Sequence, residues 1–473
     1  MELNSVKETE VLIVGAGPTG LALAVDLARR GVRNLVVEKA DGLFPGSRGK
    51  GIQPRTLEVL DDLGVVAEIL AAGGPAPRQM FWQDGQRVGE KDMFGAVEAT
   101  EAEPYAGRPV IIPQWRTQQI LLDRLRELGG DVAFGTALTG FAQDADAVTA
   151  TLSDGTTVRA AHLVAADGGR STVRAALSIP MTGESVDPSS MLVADVRVPA
   201  LDRDNWHVFP ADAGFLAICP LPHLDDFQLV AQFPDGARPD LSLAGVRQLV
   251  AERSHLSADD VTELLWSSDF RPRTGLADRF REGRVFLAGD AAHVHSPAGG
   301  QGLNTSIQDA YNLGWKLARV LKDGAPAALL DTYEAERRPN AVEMLGLSTR
   351  VHRGEQKRGA ATQQLGIGYR EGPLSQGGAG ALQAGDRAPD GPLGEGRIFD
   401  ALRGPHFTLL AVATDAELPP LEPEFIHVHR TPEPYEPYGK GLFLVRPDGY
   451  IGWAGEDPTG LGAYLDRLGL TRC

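Results

Sequence analysis

The chain contains little of what marks secreted, zinc-binding or membrane-spanning proteins. Only two of its 473 residues are cysteines, Cys219 and Cys473, which is too few for a disulfide framework or a cysteine zinc site. No apolar run approaches the roughly 18 residues of a membrane span, and the polar first residues are not typical of a signal peptide. We therefore expect a protein of the reducing cytoplasm that does not insert into membranes.

Positive charge is also scarce. The chain has 46 Lys and Arg against 63 Asp and Glu, which gives a formal net charge of −17. Proteins that bind nucleic acids or anionic membranes use a basic face to neutralise phosphates. The charge balance disfavours both kinds of partner and indicates an acidic, solvated surface. Hydrophobic residues make up 42% of the 473, so the chain can form two or three globular domains.

A glycine-rich turn follows the first apolar run. Val11 to Val14 predicts a strand, Leu21 to Arg30 a helix, and Leu35 to Val37 a second strand. This order is typical of a parallel α/β sheet. The turn between the first strand and the helix reads Gly15-Ala16-Gly17-Pro18-Thr19-Gly20, which is the pattern of a dinucleotide-binding turn.

Each glycine of this turn has its own physical reason. Gly15 permits a tight bend, Gly17 lets backbone amides approach a pyrophosphate, and Gly20 permits close packing of helix on strand. Glu38 ends the second strand, where a carboxylate can accept hydrogen bonds from a ribose hydroxyl. An acid there disfavours a 2′-phosphate, so the turn predicts FAD or NAD; an ordinary loop beside a surface acid is the alternative.

Two further motifs place aspartates at the ends of apolar strands. Residues 163–174 read LVAADGGRSTVR, with Asp167 between a strand and a helix. Residues 283–293 read GRVFLAGDAAH, with Asp290 directly after another strand. A glycine-rich stretch then leads into a helix predicted from about Leu303 to Lys322.

The pattern of apolar and polar residues along the chain changes twice. From about Ile179 to Asp269, short alternating segments predict a second, mostly antiparallel sheet. A Gly-, Gln- and Ala-rich stretch near Gly366 to Gly385 predicts a linker. Alternating segments resume after it and predict a separate C-terminal domain.

In this order and spacing, GAGPTG, LVAADGGRSTVR and GRVFLAGDAAHVHSPAGGQGLNTSIQDAYNLGWKLA resemble the class A flavoprotein aromatic hydroxylases. The likeness covers roughly residues 10–350 and is strongest to the polyketide hydroxylase and phenol hydroxylase branch, which includes rifampicin monooxygenase. The resemblance implies an α/β fold in which a Rossmann-like FAD-binding domain is interleaved with a mostly antiparallel substrate sheet. A thioredoxin-like α/β domain would follow.

The implied domain boundaries are as follows. The FAD-binding domain would comprise residues 1–176 and 270–365, with an excursion near 76–105 towards the substrate side, and the substrate domain would comprise 177–269. A linker would follow at 366–385. The C-terminal domain, 386–473, resembles the thioredoxin-like appendage through GDRAP and LVRPDGYIGW, and it contains no Cys-x-x-Cys for redox activity.

The resemblance also implies how FAD is held. Asp290 would bind the ribityl chain, Arg48 would lie beside the phosphates and the moving flavin, and Asp167 would lie near FAD and the passing nicotinamide. Helix-start amides would face the flavin pyrimidine and favour its anionic reduced state. The expected cofactor-binding residues are Gly15, Gly17, Pro18, Thr19, Gly20, Glu38, Lys39, Arg48, Gln114, Asp167, Asp290, Pro297, Gly302, Leu303 and Asn304, and no metal is expected.

The implied reaction is a monooxygenation. NADPH or NADH would reduce FAD, and the reduced flavin with dioxygen would give a flavin hydroperoxide that hydroxylates an aromatic or polyketide-type small molecule. The sequence identifies no general base, and a structural role is the default for His207, His293 and His295. Candidate substrate-facing residues are Trp206, Phe209, Phe215 and Phe233, of which strand alternation assigns about half to a core.

Several alternatives stay open at this stage. The same fold supports Baeyer–Villiger oxygenation, a flavin reductase or dehydrogenase, and a catalytically inactive flavin-binding protein. A halogenase of the tryptophan type is disfavoured, because no two tryptophans of this chain lie two residues apart. The substrate, the choice between NADH and NADPH, and the oligomeric state, with a homodimer as one option, are also open.

Overall fold

The computed structural model describes residues 6–95, 97–183, 189–212, 214–234 and 237–471. The helices are α1 (Pro18–Arg29), α2 (Pro54–Asp62), α3 (Val66–Ala72), α4 (Gln114–Glu127), α5 (Thr172–Ala176), α6 (Leu243–Arg253), α7 (Gly302–Lys322), α8 (Asp331–His352), α9 (Ile398–Leu402) and α10 (Leu461–Arg467). No helix in these ranges combines the length and the apolar character that crossing a membrane requires.

The strands in the first half of the chain are β1 (Val6–Val14), β2 (Asn34–Val37), β3 (Gly51–Ile52), β4 (Gly74–Pro75), β5 (Arg78–Gln83), β6 (Gln86–Lys91), β7 (Val110–Ile111), β8 (Val132–Ala133), β9 (Leu138–Gln143), β10 (Val148–Leu152), β11 (Thr157–Ala165), β12 (Met181–Thr182), β13 (Ser190–Arg197), β14 (Asn205–Phe209), β15 (Leu216–Pro220) and β16 (Asp226–Phe233). Those in the second half are β17 (Glu263–Phe270), β18 (Gly275–Ala277), β19 (Arg281–Glu282), β20 (Val285–Leu287), β21 (His293–Val294), β22 (Gln376–Ala379), β23 (Leu382–Gln383), β24 (Pro392–Leu393), β25 (Gly396–Arg397), β26 (Phe407–Val412), β27 (Ile426–Thr431), β28 (Gly441–Val445) and β29 (Ile451–Gly455).

The first main sheet brings the three sequence motifs together. Its strand order is β19-β20-β11-β1-β2-β8, with β9 and β10 added as antiparallel strands beside β11. Strands β20, β11, β1, β2 and β8 run parallel, and Val11–Val14 are buried at the centre, as expected for a strand covered on both faces. Because parallel strands end at one edge, Gly15, Asp167 and Gly289 emerge side by side.

The second main sheet has the order β17-β13-β16-β15-β14-β5-β6. Its pairs are antiparallel except β14 with β5. The β5–β6 hairpin lies between β4 and β7 in the chain, within the predicted excursion, and forms one edge of this sheet. One face packs on α6 through a core that includes Leu192, Leu216, Leu229 and Val246, which leaves the opposite face turned towards the first domain.

The C-terminal sheet has the order β23-β22-β29-β28-β26-β27. Strands β22 and β23 fall inside residues 366–385, so the prediction of a linker over that whole stretch is wrong for residues 376–383. The glycines there serve close approach instead of flexibility: Gly377 has a φ of +84°, and a Cβ on it would lie 2.2 Å from the Ala454 carbonyl oxygen. Strand β22 thereby pairs in parallel with β29.

Buried ion pairs connect the C-terminal domain to helices α7 and α8. Arg446 donates to both oxygens of Glu336, at 2.6 and 3.0 Å, and Lys316 donates to Glu336 Oε2 at 2.7 Å. Arg446 also binds Asp448, which accepts a hydrogen bond from the Trp315 indole. All four charged side chains are buried, and their two positive and two negative charges balance.

The electrostatics of this cluster follow from that balance. Burial alone would raise the pKa of Glu336, but Arg446 and Lys316 lower it to about 2. Burial lowers the pKa of Lys316 to about 8, with Glu336 acting in the opposite sense. Each charge is therefore kept in the interior by its neighbours.

We expect Glu336→Gln to lower the free energy of unfolding by about 3–5 kcal/mol, because it leaves Lys316 and Arg446 in the interior with one carboxylate fewer. Urea unfolding followed by tryptophan fluorescence measures the change. Glu343→Gln makes the same chemical change at an exposed position of α8 and should alter stability by less than about 0.5 kcal/mol. Equal stability of the two variants would refute the assignment.

Candidate active site

The glycine turn after β1 has the geometry that its sequence predicts. Gly15 has a φ of +107°, and a Cβ on it would lie 2.4 Å from the Ala166 carbonyl oxygen. A Cβ on Gly20 would lie 2.0 Å from the Gly15 carbonyl oxygen. Gly17 differs, because a Cβ there would meet no atom within 4 Å. Two glycines thus serve packing, and the third leaves the backbone open beside the start of α1, where Pro18 and Thr19 form the first turn.

Glu38 is held by backbone amides at the end of β2. Its two carboxylate oxygens accept hydrogen bonds from Ala16 N at 2.9 Å and from Ala40 N at 3.0 Å. The side chain therefore ties β2 to the glycine turn, a contact that the sequence did not predict. A carboxylate has about four acceptor sites, so the predicted bond to a ribose hydroxyl is compatible with this geometry. Lys39 follows it and is exposed.

Asp167 uses one carboxylate oxygen and leaves the other without a partner. Oδ2 accepts hydrogen bonds from the Thr172 amide at 2.8 Å and from the Thr172 hydroxyl at 3.1 Å, which caps α5. Oδ1 is buried and has no hydrogen-bond partner among the described residues. Arg174 of α5 donates to the carbonyl oxygens of Ala291 and Gly169 and so joins the loops that carry Asp167 and Asp290.

Asp290 lies in a short 3-10 turn, Gly289–Ala291, directly after β20. Asp290 counts as an exposed residue, although the protein around it buries its carboxyl group away from bulk water. That burial raises the pKa of Asp290, and His293 and Arg48 act in the opposite sense. Gly289 has a φ of +60°, and a Cβ on it would lie 2.6 Å from the Thr19 hydroxyl, so glycine lets this turn approach α1.

A buried charged cluster behind the turn fixes its position. Asp309 of α7 accepts hydrogen bonds from the Gly289 amide at 3.1 Å, from His293 Nε2 at 2.5 Å and from Arg337 Nε at 2.7 Å. Burial would raise the pKa of Asp309, but His293 and Arg337 lower it to about 2. The role of Asp309 was not predicted from the sequence. The signal available for it was an acidic residue inside α7, a helix whose residues from Asn304 to Arg319 are buried.

The start of α7 faces the same cleft. The first amides of a helix have no partner within it, and here they belong to Gly302, Leu303 and Asn304. The Asn304 side chain accepts a hydrogen bond from Gln53 N at 2.7 Å and donates to Gly51 O at 2.9 Å. Pro297 begins the 3-10 turn that precedes this helix.

The segment 44–53 crosses between the two domains. Gly49 N donates to Gln114 Oε1 at 3.0 Å, and a Cβ on Gly49 would lie 2.9 Å from Leu303 Cδ1. Arg48 donates to Ser268 Oγ of β17 at 2.8 Å and lies over the ring of Trp266, 5.8 Å from its centroid. The structure thus brings Arg48, Gln114, Leu303 and Asn304 together around one loop.

Asp195 of β13 anchors this segment and was missed from the sequence. Ser47 donates to it from its amide, at 2.9 Å to Oδ2, and from its hydroxyl. Gln228 of β16 donates to Ser47 O at 2.5 Å. Burial raises the pKa of Asp195 to about 6, although the hydrogen bonds from Ser47 oppose the shift. An acidic residue in the apolar strand MLVADVRV was the only available signal.

The register of the second sheet separates the aromatic candidates. Phe209 and Phe233 pack in the core with α6, so these two belong to the half that was expected to fill a core and do not face the cleft. Trp206 alternates with His207 on β14 and lies on the opposite face, as does Phe215, the residue before Leu216. Those two remain on the side of the cleft.

The three candidate histidines have structural contacts. His207 accepts a hydrogen bond from the Trp82 indole at 3.0 Å, and its other nitrogen lies 2.9 Å from the Asp202 carbonyl oxygen. His293 binds Asp309, and its Nδ1 lies 3.0 Å from His295 Nε2. These contacts agree with the structural role that was the default for each residue.

The site residues fit a flavin dinucleotide. A backbone turn without side-chain obstruction suits a pyrophosphate, the unpartnered Asp167 oxygen and the open Asp290 carboxylate suit hydroxyl groups, and a helix start suits a ring that becomes anionic. These groups lie on β1, β11, β20 and α7, which meet at one edge of the first sheet.

We expect the stability of the wild-type chain, relative to Asp195→Asn, to rise as the pH falls from 7 to 4. The carboxyl group has a pKa of about 6 in the folded chain against an ordinary value of 3.8, so over most of this range the folded chain binds a proton that the unfolded chain does not. The gain between pH 7 and pH 4 is about 2.4 kcal/mol. Urea unfolding of both proteins at four pH values measures it, and a difference independent of pH would contradict the expectation.

Comparison with known proteins agrees with this site. Residues 8–348 match the family model described as FAD binding domain, and residues 382–469 match the one described as aromatic-ring hydroxylase, C-terminal. The chain is 46% identical to a flavin-dependent monooxygenase of Mycobacteroides abscessus, over 97% of this chain and 99% of that one. It is 32% identical to a rifampicin monooxygenase of Rhodococcus hoagii, over 97% of each.

A solved structure matches along the whole chain. The ternary complex of aklavinone-11 hydroxylase with FAD and aklavinone superposes with a TM-score of 0.83 and 29% identity, over 99% of this chain and 100% of that one. The predicted family, fold class and FAD cofactor are thereby confirmed. The chain belongs to the FAD-dependent aromatic-ring hydroxylases, the flavoprotein monooxygenases that oxidise aromatic substrates with FAD and NAD(P)H.

Proposed function

We propose that this enzyme hydroxylates a planar, fused-ring aromatic molecule of the polyketide type, with dioxygen as the oxygen donor. The observation that carries the proposal is the cleft-side face of the second sheet. Paired positions on five neighbouring strands carry Val193, Val230, Ala217, Val208 and Phe81. At about 4.8 Å between strands, this apolar row extends over about 19 Å.

The length of the row discriminates between substrate classes. A single phenol ring would cover only one or two strands of it, whereas several fused rings would contact most of the row and bury more apolar surface. A solved relative in complex with FAD and aklavinone, and a relative named as a rifampicin monooxygenase, support a substrate larger than a simple phenol.

The residues of the first domain would hold the cofactor. The glycine turn with Pro18 and Thr19 would face the pyrophosphate, Glu38 and Lys39 the adenosine end, and Asp290 the ribityl chain. When bound, FAD accepts a hydride from NAD(P)H and activates dioxygen for transfer to the ring. The amides of Gly302, Leu303 and Asn304 would favour negative charge on the flavin pyrimidine.

The protein itself would orient the substrate and exclude water from the cleft. Segment 44–53, fixed by Gln114 on one side and by Asp195 on the other, would close the cleft between the two domains, with Arg48 at its edge. Asp167 would present its unpartnered oxygen to FAD or to the nicotinamide cofactor. His207 and His293 use both ring nitrogens in structural contacts, and His295 contacts His293 through its Nε2, so we assign no histidine of the site as a base.

We expect Asp290→Ala to weaken FAD binding by about 1.5–3 kcal/mol, since it removes a hydrogen bond to a charged acceptor. Titration of the flavin-free protein with FAD, followed by quenching of flavin fluorescence, measures the affinity. Asp415→Ala, at an exposed position of the C-terminal domain, is the control and should bind FAD as the wild type does. Unchanged affinity of Asp290→Ala would remove the proposed ribityl contact.

Incubation with labelled dioxygen tests the reaction itself. With NADH or NADPH and a panel of fused-ring aromatic polyketides, we expect one labelled oxygen atom as a new hydroxyl group in the product, measured by mass spectrometry. Label in a ring-expanded lactone would instead indicate Baeyer–Villiger oxygenation. NAD(P)H oxidation that leaves no label in any compound would indicate a reductase, and no substrate-stimulated oxidation would indicate a flavin-binding protein.

A further inference from the structure

Segment 44–53 places a lysine on the cleft-side face of the second sheet. Lys50 follows Ser47 by three residues, and its ammonium lies 4.1 Å from the centroid of the Trp206 ring. Trp206 lies opposite Cys219, because the adjacent pair is His207 with Ile218. Lys50 therefore sits on a row of the sheet that directly neighbours the apolar row described above.

Two hydrogen-bond donors in this place have no acceptor. The Lys50 ammonium and the Trp206 indole nitrogen are both buried, and neither has a hydrogen-bond partner among the described residues. The thiol of Cys219 lies beside the ammonium without completing a well-formed hydrogen bond. Asp195, the carboxylate that faces Lys50, already accepts two hydrogen bonds from Ser47.

A buried cation without a hydrogen-bond acceptor is costly, even where it lies over an aromatic ring. Burial lowers the pKa of Lys50, and Arg358 acts in the same sense, while Cys219 and Asp195 oppose it. Burying a charge or a donor without a partner disfavours folding, and such groups cluster at functional sites, where a ligand satisfies them. The donors are satisfied when a group with acceptor oxygens binds there.

We propose that Lys50 and Trp206 recognise an acidic oxygen, a carboxylate or an ionised enol or phenol, on the fused-ring substrate. An indole N–H can only donate, and an ammonium donates with a full positive charge, so together they select an acceptor that carries negative charge. The rings of the same molecule then lie on the neighbouring row of Val193, Val230, Ala217 and Val208. This inference rests on the proposed function and specifies its substrate class.

The Lys50 ammonium also bears on the fact that the sequence identifies no general base for the reaction. An ammonium within hydrogen-bond distance of an enol or phenol favours its ionised form, and an ionised ring is the more electron-rich one. Lys50 would therefore bind the substrate as the anion, whose proton has passed to water before binding, and the chain would need no separate histidine to accept that proton.

The test measures binding to the oxidised holoenzyme, which does not depend on turnover. The probes are anthraquinone-2-carboxylate and its methyl ester, and the flavin absorbance change gives each Kd. We expect Lys50→Met to weaken binding of the carboxylate by about 10- to 100-fold and to change binding of the ester by less than about 3-fold. Lys50→Arg should restore most of the carboxylate affinity, and Trp206→Phe should lose a smaller part of it.

Lys91→Met is the matched control. Lys91 ends the same row of the sheet at its edge, opposite Gln79, and is exposed, so its loss removes one positive charge without touching the cleft. It should bind both probes as the wild type does. An equal effect of Lys50→Met and Lys91→Met would reduce the role of Lys50 to long-range charge and overturn the proposal.

The outcomes separate this inference from the proposed function. If the wild type binds both probes and Lys50→Met binds each probe as tightly as the wild type does, the lysine site is refuted and the proposal of a fused-ring substrate stands. If both probes weaken together, Lys50 shapes the cleft and does not recognise an acid. If the wild type binds neither probe, the fused-ring proposal fails and the lysine site with it.

Discussion

Parallel pairing of β20, β11 and β1 is the constraint on which the site depends. The pairs Leu12 with Leu163 and Leu163 with Val285 align three strands that are far apart in the chain. Their carboxyl ends therefore open at one edge, where the glycine turn, Asp167 and Asp290 meet. A shift of one residue in this register would turn every buried side chain of the shifted strand to the other face, so the apolar core and the cofactor site are fixed together.

Segment 44–53 transmits that arrangement to the second sheet. Its residues contact both domains: Ser47, Arg48 and Lys50 contact the second sheet, whereas Gly49 and Gln53 bind Gln114 and Asn304 of the first domain. A single extended stretch therefore sets the distance between cofactor and substrate faces. This explains why two of its three glycines make tight contacts, since a Cβ on Gly46 would meet Trp266 and one on Gly49 would meet Leu303.

The features that the sequence predicted well are those set by local geometry. The roles of Gly15 and Gly20 follow from backbone torsion and close packing, and α7 begins one residue before its predicted start. The contacts of Asp195, Asp309 and Lys50 were not predictable, because their partners come from segments that only the fold brings near. Residues 376–383 were wrongly predicted to be part of a linker. Their glycines suggested flexibility, but glycine permits close strand pairing just as readily.

The buried charge cluster affects how this chain can evolve. It consists of Arg446, Asp448, Lys316 and Glu336, whose charges balance. A deletion of the appendage would strip Glu336 of one partner and expose the Trp315 side of α7, and α7 carries the amides that face the cleft. Loss of the domain would thus require compensating changes at several interior positions at once. Selection is therefore expected to retain the appendage even though its sequence contains no Cys-x-x-Cys.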